Sequence, residues 1–501
     1  MSMPVPLELL LTIFDFAVHT SSLPATGGPT GKVHKDTEYP ESQLQPGIIA
    51  HTTNPFTPLH ISHVCKDWRN AAFSAPELWS SIYVADGSPS TPKLLLLWLQ
   101  NSRSRPLDII FRDTPHGSSG YDSGGTIVEM IQMAAEHSVR WRTFKVKLRR
   151  QELPMKEVNK ALHGIGTPLL QTLAFSFNPA DFGYTRPDDL WISLIANAPK
   201  LQELQMWSTR YPEHFLAAIP FDRLTCITLI MVRFQDGDLF WKALRGCKVL
   251  RTLAVSFGLR PEHITQTLLS LPVVSIPSLR HLNLIGGTAL CLLLLRLHAP
   301  SLSSLTIHTN LPDQYVGRPT TDVYMALEDF LTRSGCQLLS FKIRDDIEGP
   351  RSERRLSPIL RHCALRHLVD LTLGNPVGED TLEMLVRSPK NDGLLQRLKR
   401  IDLQALAIGG KIGEIPQVAY ATEMAASRSG DSRPAVNLAS LTVGFMLRTQ
   451  LIHEIRTWDE QVAEKGNLEL DKVFYFVDDT ECTRRLKDEF LYRDFSMIQR
   501  F

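Results

Sequence analysis

The sequence predicts an α/β protein: a small N-terminal module of three helices, then an irregular solenoid of repeats with parallel β-strands inside and helices outside. Three observations predict it. The chain has 501 residues, more than one hydrophobic core usually serves, which favours several domains or an elongated repeat array. Helical periodicity dominates the first eighty-odd residues. From about residue 140 onward, one short apolar pattern returns ten times at intervals too long for a single sheet motif and suited to stacked units.

The opening stretch VPLELLLTIF (5–14) begins with prolines suited to a first helical turn and sets Leu9, Leu10, Ile13, Phe14 and Ala17 on one face. Between residues 21 and 56 the composition turns to Ser, Thr, Gly and Pro with mixed charge, which predicts a low-order insertion. Periodicity resumes at Thr57 and Pro58, a good cap and first position. A helix is expected through Ile61, Val64, Cys65, Trp68 and Ala72. A third short segment, SAPELWSSI (74–82), restarts on Pro76 and offers Leu78, Trp79 and Ile82. These helices form a module over 1–85. They carry more Leu, Phe and Trp than a small core absorbs, and leftover apolar surface commonly marks a partner site.

Residues 86–139 form a linker that leads into the repeats, with a helix at LLLLWL (94–99), a strand at RPLDIIF (105–111) and a turn-rich loop at 114–125. WRTFKVKLRR (141–150) reads as an opening strand, because Phe144, Val146 and Leu148 alternate with Lys145, Lys147 and Arg149. The repeats span 140–450. Their central apolar residues are Leu173, Leu204, Ile227, Leu253, Leu282, Leu305, Phe341, Leu371, Ile401 and Leu441. Each unit would be a strand with alternate apolar residues turned inward, returned by a helix or loop. Helical returns are readable at 188–198, 236–246, 261–271, 321–335 and 378–388. Residues 451–501, with a helical stripe at 451–462, a strand KVFYFV and a final helix, make a terminal cap.

Two resemblances follow from these residues. The recurring pattern resembles leucine-rich repeats, in imperfect and partly overlong units. VPLELLLTIF is similar to the first helix of the F-box, and HVCKDWRNAAFSAPELW (63–79) resembles the second half of that motif, interrupted by the insertion. Interrupted F-box-like sequences ahead of poorly regular leucine repeats resemble the families expanded in mushroom-forming fungi. The resemblance implies docking on the Skp-family adaptor of a cullin-RING (SCF-type) ubiquitin ligase, with the repeats binding a protein substrate. The docking residues it implies are Pro6, Leu9, Leu10, Ile13, Phe14, Val64, Trp68, Leu78 and Trp79. The alternative is a repeat scaffold outside any ligase, whose N-terminal helices only cap the solenoid.

Chemistry is sparse. No phosphate-binding loop, nucleophile elbow or zinc-protease motif occurs, so no enzyme activity, cofactor or metal is expected. In the His60, His63 and Cys65 cluster, helical spacing would put His60 and Cys65 on different faces, and no fourth ligand stands nearby. Asp345, Asp346 and Glu348 read as a solvated loop after a strand. The strip Arg140, Arg142, Lys145, Lys147, Arg149 and Arg150 contains no acid. Four of its members, Arg142, Lys145, Lys147 and Arg149, are the candidate acidic-ligand patch. With 54 basic and 53 acidic residues there is no global field toward nucleic acid or anionic membrane. Seven cysteines without a CxxC pair suit buried free thiols. The apolar start lacks a basic n-region, and a cytoplasmic or nuclear location is expected.

Overall fold

The structure, a computed structural model, describes residues 6–19, 48–49, 57–84, 90–112, 123–148, 155–177, 188–207, 213–232, 237–257, 272–309, 322–345, 353–386, 395–407, 424, 427, 440–447 and 469–476. The insertion at 21–56, apart from residues 48–49, lies outside them. So do the return expected at 261–271, the terminal stripe at 451–462 and the final helix. The chain is α/β and divides into two compact units, 1–232 and 233–501.

In the first unit the strands are β1 (Ile48–Ile49), β2 (Ser81–Val84), β3 (Leu107–Arg112), β4 (Trp141–Leu148), β5 (Thr172–Phe177), β6 (Glu203–Trp207) and β7 (Cys226–Val232). They pair in chain order, all parallel except the antiparallel β1–β2 edge. Helices α1 (Leu7–His19), α2 (Pro58–Ser62) and α3 (Lys66–Ser74) precede β2. Helices α4 (Thr91–Asn101), α5 (Ser123–Ala135), α6 (Met155–Leu162), α7 (Asp188–Ala196) and α8 (Glu213–Ala218) fill the returns.

The second unit repeats the plan. Strands β8 (Thr252–Phe257), β10 (His281–Gly286), β12 (Ser304–Thr309), β13 (Ser340–Asp345), β14 (Asp370–Val377), β15 (Arg400–Ala407), β16 (Ser440–Leu447) and β17 (Glu469–Phe476) are parallel neighbours in that order. A separate two-stranded pairing joins β9 (Val274–Ser275) to β11 (Leu297–His298). The returns hold α9 (Gly237–Arg245), α10 (Thr288–Arg296), α11 (Val323–Ser334), α12 (Glu353–Leu360) and α13 (Glu379–Leu385).

The central residues of the recurring pattern meet their neighbours in register. Leu173 pairs with Leu204 and Leu204 with Ile227 in the first unit. In the second, the line runs Leu253, Leu282, Leu305, Phe341, Leu371, Ile401 and Leu441. Those with described side chains are buried. Upstream, Ile82, Ile109 and Phe144 extend the same line, so the linker segment already belongs to the ladder. Two copies escaped the sequence pattern because tryptophan takes the position three residues ahead of the strand centre that leucine holds elsewhere. Trp79 precedes Ile82 as Leu170 precedes Leu173, and Trp141 precedes Phe144. Each indole N–H donates to the carbonyl seven residues earlier, Ala72 O at 2.8 Å and Ala134 O at 3.1 Å. Burying a tryptophan therefore leaves no orphan donor at either position.

A second recurring device pins the register. The backbone carbonyls of Gln171, Gln202, Arg251, Arg280, Ser303, Leu339 and Val369 each accept two consecutive N–H groups from the start of the next strand, at 2.7–3.2 Å. Both lone pairs of each oxygen are used. Because each strand is fixed at its first residue, extra residues in a return lengthen the return and leave the ladder aligned. That reconciles spacings of 23 to 40 residues between pattern centres with a continuous register.

Helix ends follow the local signals. Asp322 caps α11 by accepting from Tyr324 N at 2.9 Å, and Gly335 ends it at φ 58° in the left-handed region. Gly286, at φ 148°, ends β10 where an added Cβ would lie 2.9 Å from Phe257 Cβ. The leucine run at 289–295 forms most of α10, and Leu294 O near its end and Leu297 O of β11 both accept from the Arg333 guanidinium of α11. No helix among the described residues is long and apolar enough to cross a membrane.

Three expectations are corrected. Residues 58–72 are not one helix: the chain breaks at His63–Cys65 and restarts with Cys65 as cap. Residues 80–84 are a turn and strand rather than the end of a third helix. Asp345 is not solvated. It is 3% exposed, accepting from Thr309 Oγ1 at 2.5 Å and Tyr324 Oη at 3.1 Å.

The cysteines are free among the described residues, but only partly buried as expected. Cys247, Cys291 and Cys336 are buried, whereas Cys65 and Cys363 are exposed. Burial pushes the Cys291 thiol up to about 12, with the Asp322 carboxylate adding to the effect, and pushes Cys336 up to about 11. In the unfolded chain these thiols ionise near ~8.5. Above that pH the folded state holds protons the unfolded state has lost, so their contribution to stability is full below pH ~8.5 and falls as pH rises toward 12. Urea midpoints measured at increasing pH should therefore decline through this range, and native-state alkylation at pH 8 should label Cys65 and Cys363 while sparing Cys291 and Cys336. Leu305, fully buried with in-register neighbours on both sides, provides the packing test. Leu305→Ala should lower stability by about 2–5 kcal/mol, against about 0.5 kcal/mol or less for the outward-facing Thr306→Ala, read from urea midpoints.

Candidate docking surface of the N-terminal helices

The site assembles from α1 outward. Leu10 N donates to Pro6 O at 3.0 Å as the first turn closes. The leucine-rich sequence then carries the helix to His19, three residues from Phe16. Its inner side is Phe14 and Val18, both buried, with Leu10, Leu11 and Ala17 half-buried. This side packs on α2, α3 and the 3-10 turn Pro76–Trp79. Phe14 meets Trp68 of α3 edge to face, ring centroids 4.9 Å apart. A second aromatic group follows. Phe73 stacks on Trp79 at 5.2 Å, and Trp79 meets Trp98 of α4 edge to face at 5.0 Å. Such pairs contribute roughly 0.5–1.5 kcal/mol each beyond the area they bury.

The break between α2 and α3 is held locally. Thr57 Oγ1 accepts from His60 N, and Thr57 N donates to His60 Nδ1 at 3.1 Å, a reciprocal capping box in which a histidine ring takes the usual carboxylate role. Cys65 Sγ accepts from Trp68 N at 3.4 Å and opens α3. His60 and Cys65 thus serve as caps, and no metal-binding group of three forms among the described residues.

The nine residues expected to dock separate into three sets. Phe14, Leu78 and Trp79 lie in the core and are unavailable to a partner. Leu10 and Trp68 are half-buried. Pro6, Leu9, Ile13 and Val64 are exposed, with Leu9 at 57%, Ile13 at 53% and Val64 at 60%. The structure adds Phe16, 63% exposed, which the single-face reading of α1 missed. Leu9, Ile13 and Phe16 stand at i, i+4 and i+7, one apolar stripe on the outer side of the helix. The inner row starts one residue later, at Leu10, Phe14 and Val18. Two adjacent apolar rows look like one wide face in sequence, and only packing separates them.

The candidate acidic-ligand patch is also redistributed. Arg142 is committed to Asp108 of β3: its Nε donates to Oδ1 at 3.0 Å and its Nη2 to Oδ2, and this pairing raises the guanidinium pKa. Lys145 and Lys147 alternate with buried Phe144 and Val146, placing both on the outward face of β4. Arg149 lies outside the described residues. Beside Arg142, an open groove of about 930 Å³ is lined by Asp15, His19, Glu77, Ser81 and Arg105 among others. Groups of both signs line it, with Arg105 3.6 Å from Glu77 and Asp15 beside the His19 ring at 3.7 Å, so it favours no single ligand charge.

No family model matches the chain, and no curated protein matches its sequence.

Denaturation would separate the two sides of α1. Phe14→Ala should cost about 3–5 kcal/mol by opening a cavity against Trp68, whereas Ile13→Ala on the outer stripe should change the urea midpoint by less than about 0.5 kcal/mol.

Proposed function

We propose that the chain is a non-catalytic, substrate-selecting adaptor of an SCF-type ubiquitin ligase: an F-box-like module that docks on a Skp-family adaptor, followed by an irregular leucine-rich-repeat solenoid that selects a protein substrate. The observation that carries this reading is the outer stripe of α1. Leu9, Ile13 and Phe16 are large, apolar and more than half exposed, on a helix whose other side is already packed. Covering the apolar surface that these three half-exposed side chains still show would contribute roughly 1 kcal/mol for each. A partner surface recovers that energy. The stripe falls within the segment that resembles the first F-box helix, and Val64 falls within the second half of that motif. The repeats contribute an outward sheet face of polar residues, such as Asn283, Thr306, Lys342 and Thr372 in register, on which recognition chemistry can vary without disturbing the core.

A second reading has its own observation. Trp79 is both the end of the F-box-like segment and the first residue of a repeat copy, and it packs on Trp98 of α4. On that reading the N-terminal helices cap the first strands and dock nothing. The two readings part on the stripe.

The test uses the full chain and a purified Skp-family adaptor, with binding followed by calorimetry. The adaptor reading expects measurable affinity that falls about thirtyfold, roughly 2 kcal/mol, in the double variant Ile13→Asp/Val64→Asp, with an unchanged thermal midpoint. Absence of binding by the unsubstituted chain, or equal binding by the variant, would leave the capping reading.

A further inference from the structure

The turns that lead into the strands of the second unit carry positive charge that neither the ladder nor α1 uses. Those entering β8, β10, β12, β13, β14 and β15 (residues 246–251, 276–280, 299–303, 335–339, 361–369 and 395–399) hold seven lysines and arginines and no aspartate or glutamate. The whole chain is balanced, 54 basic against 53 acidic residues, so this edge is a local departure. All seven are exposed, and among the described residues none of their side chains makes an ion pair or a hydrogen bond. Asp370, which opens β14, is already paired with Arg400. The register fixes where these charges stand. Because each strand begins at the carbonyl of the turn before it, Arg251, Arg280, Ser303, Leu339, Val369 and Lys399 occupy one row across the ladder. At about 4.8 Å per strand the row runs about 24 Å. Ser278 Oγ donates to Leu250 O at 2.8 Å and to Lys248 O at 3.2 Å, which ties the turn of Lys248 and Arg251 to that of Arg280. Further along, Leu338 N donates to Ala364 O at 2.8 Å and ties the turn of Leu339 to that of Arg361 and Arg366.

Three features narrow the ligand. The charges are unevenly spaced: Arg251 and Arg280 are adjacent in the row, three strands follow without a basic residue in it, and Lys399 closes it. A nucleic acid or an acidic peptide carries its anions at a set interval, whereas a fluid bilayer brings anionic headgroups to wherever cations stand. No Phe, Tyr or Trp occurs in the six turns, so stacked bases would find no platform. Exposed aliphatic side chains do occur. Val249, between Lys248 and Arg251 in sequence, is 42% exposed, and Leu339, in the row itself, is 48% exposed. Cations on aliphatic stems, interspersed with exposed aliphatic residues, match the boundary between headgroups and acyl chains. We propose that this edge of the second unit binds the surface of bilayers rich in anionic lipid. The lysines and arginines meet headgroup phosphates and carboxylates, and Val249 and Leu339 settle at the acyl boundary. Attraction of this kind falls off within a Debye length, so the association is peripheral and sensitive to salt. This surface lies beyond the adaptor reading and does not depend on it.

The experiment sediments the full chain with vesicles of phosphatidylcholine, with and without phosphatidylserine, over a range of salt. Three variants accompany it: Arg251→Gln/Arg280→Gln, Arg397→Gln/Lys399→Gln and Leu339→Ser. The expected result is binding to the phosphatidylserine vesicles that weakens as salt rises, with little binding to phosphatidylcholine alone. Each charge variant should lose about tenfold or more in partition coefficient, and Leu339→Ser a smaller factor. Exposed side chains without partners leave the thermal midpoint in place when replaced, so an unchanged midpoint in the charge variants assigns the loss to the surface. Equal binding to the two kinds of vesicle, or undiminished binding by either charge variant, overturns the proposal. So does displacement of the chain from vesicles by free phosphate, a polyglutamate peptide or an oligonucleotide at matched ionic strength, which would give the edge to that ligand instead. Binding of the Skp-family adaptor should be the same for the charge variants and the original chain.

Discussion

The line of apolar residues at the strand centres is the constraint on which the rest of the structure depends. A parallel strand with one apolar face cannot bury that face alone, so each strand of this chain requires the next. Ile82, Ile109, Phe144, Leu173, Leu204 and Ile227 meet in succession within the first unit, and Leu253 through Leu441 within the second. What sets the alignment is the doubly accepting carbonyl ahead of each of several strands, and not the length of the return. Since the returns carry no register information, they are free to differ: an ordered helix of twelve residues in α11, a helix of six in α8, a two-stranded bridge between β9 and β11. Irregular repeat lengths are consequently compatible with a regular ladder.

The same constraint explains which parts of the fold were legible in the sequence. Strands were, because period-two alternation with leucine at fixed offsets is a strong signal, and the ten central residues read from it are strand residues in the structure. Helices α4, α7, α9, α11 and α13 were legible through their caps and apolar spacing. Helices α5, α6, α8, α10 and α12 were not. The α5 stretch opens on SGG, which reads as loop, and α12 contains Pro358, which reads as a break. The strand led by Trp141 was legible through its alternation, whereas the one led by Trp79 was hidden, because a tryptophan stands where the pattern has leucine and the segment reads as helix. In each case tertiary packing overruled a local preference that was correct on its own terms.

The candidate site was legible in composition and illegible in orientation. Nothing in LELLLTIFDF distinguishes Leu10 and Phe14, which face Trp68 and the core, from Leu9 and Ile13, which face away. All four are apolar, and the rows are one residue apart. The fate of Arg142 was hidden for a different reason. Its partner Asp108 comes 34 residues earlier and reaches it only through the pairing of β3 with β4. A strip without acids in sequence was thus partly neutralised in space. Conversely, Arg112 joined the strip from outside it by the same strand pairing. Charge patterns on a sheet belong to rows across strands, and a one-dimensional reading samples them along the wrong axis.

That rotation of axes bears on how such a surface can change. Along β4 the residues alternate between core and solvent, so Lys145 and Lys147 can be replaced without touching Phe144 or Val146. Across strands, each outward position is adjacent to two neighbours about 4.8 Å away, and its energetics depend on their charge. The apolar stripe on α1 has the opposite character. Its residues sit one or two positions from the inner row of Leu10, Phe14 and Val18, so a change of bulk there bears on the packing of the helix. The two surfaces thus differ in chemistry, one an apolar helical stripe of Leu9, Ile13 and Phe16 and the other an outward sheet face bearing Lys145 and Lys147. The aromatic contacts from Phe73 through Trp79 to Trp98 join the helical module to the first repeat returns, so the two faces are carried on one folded unit and their chemistries remain separate.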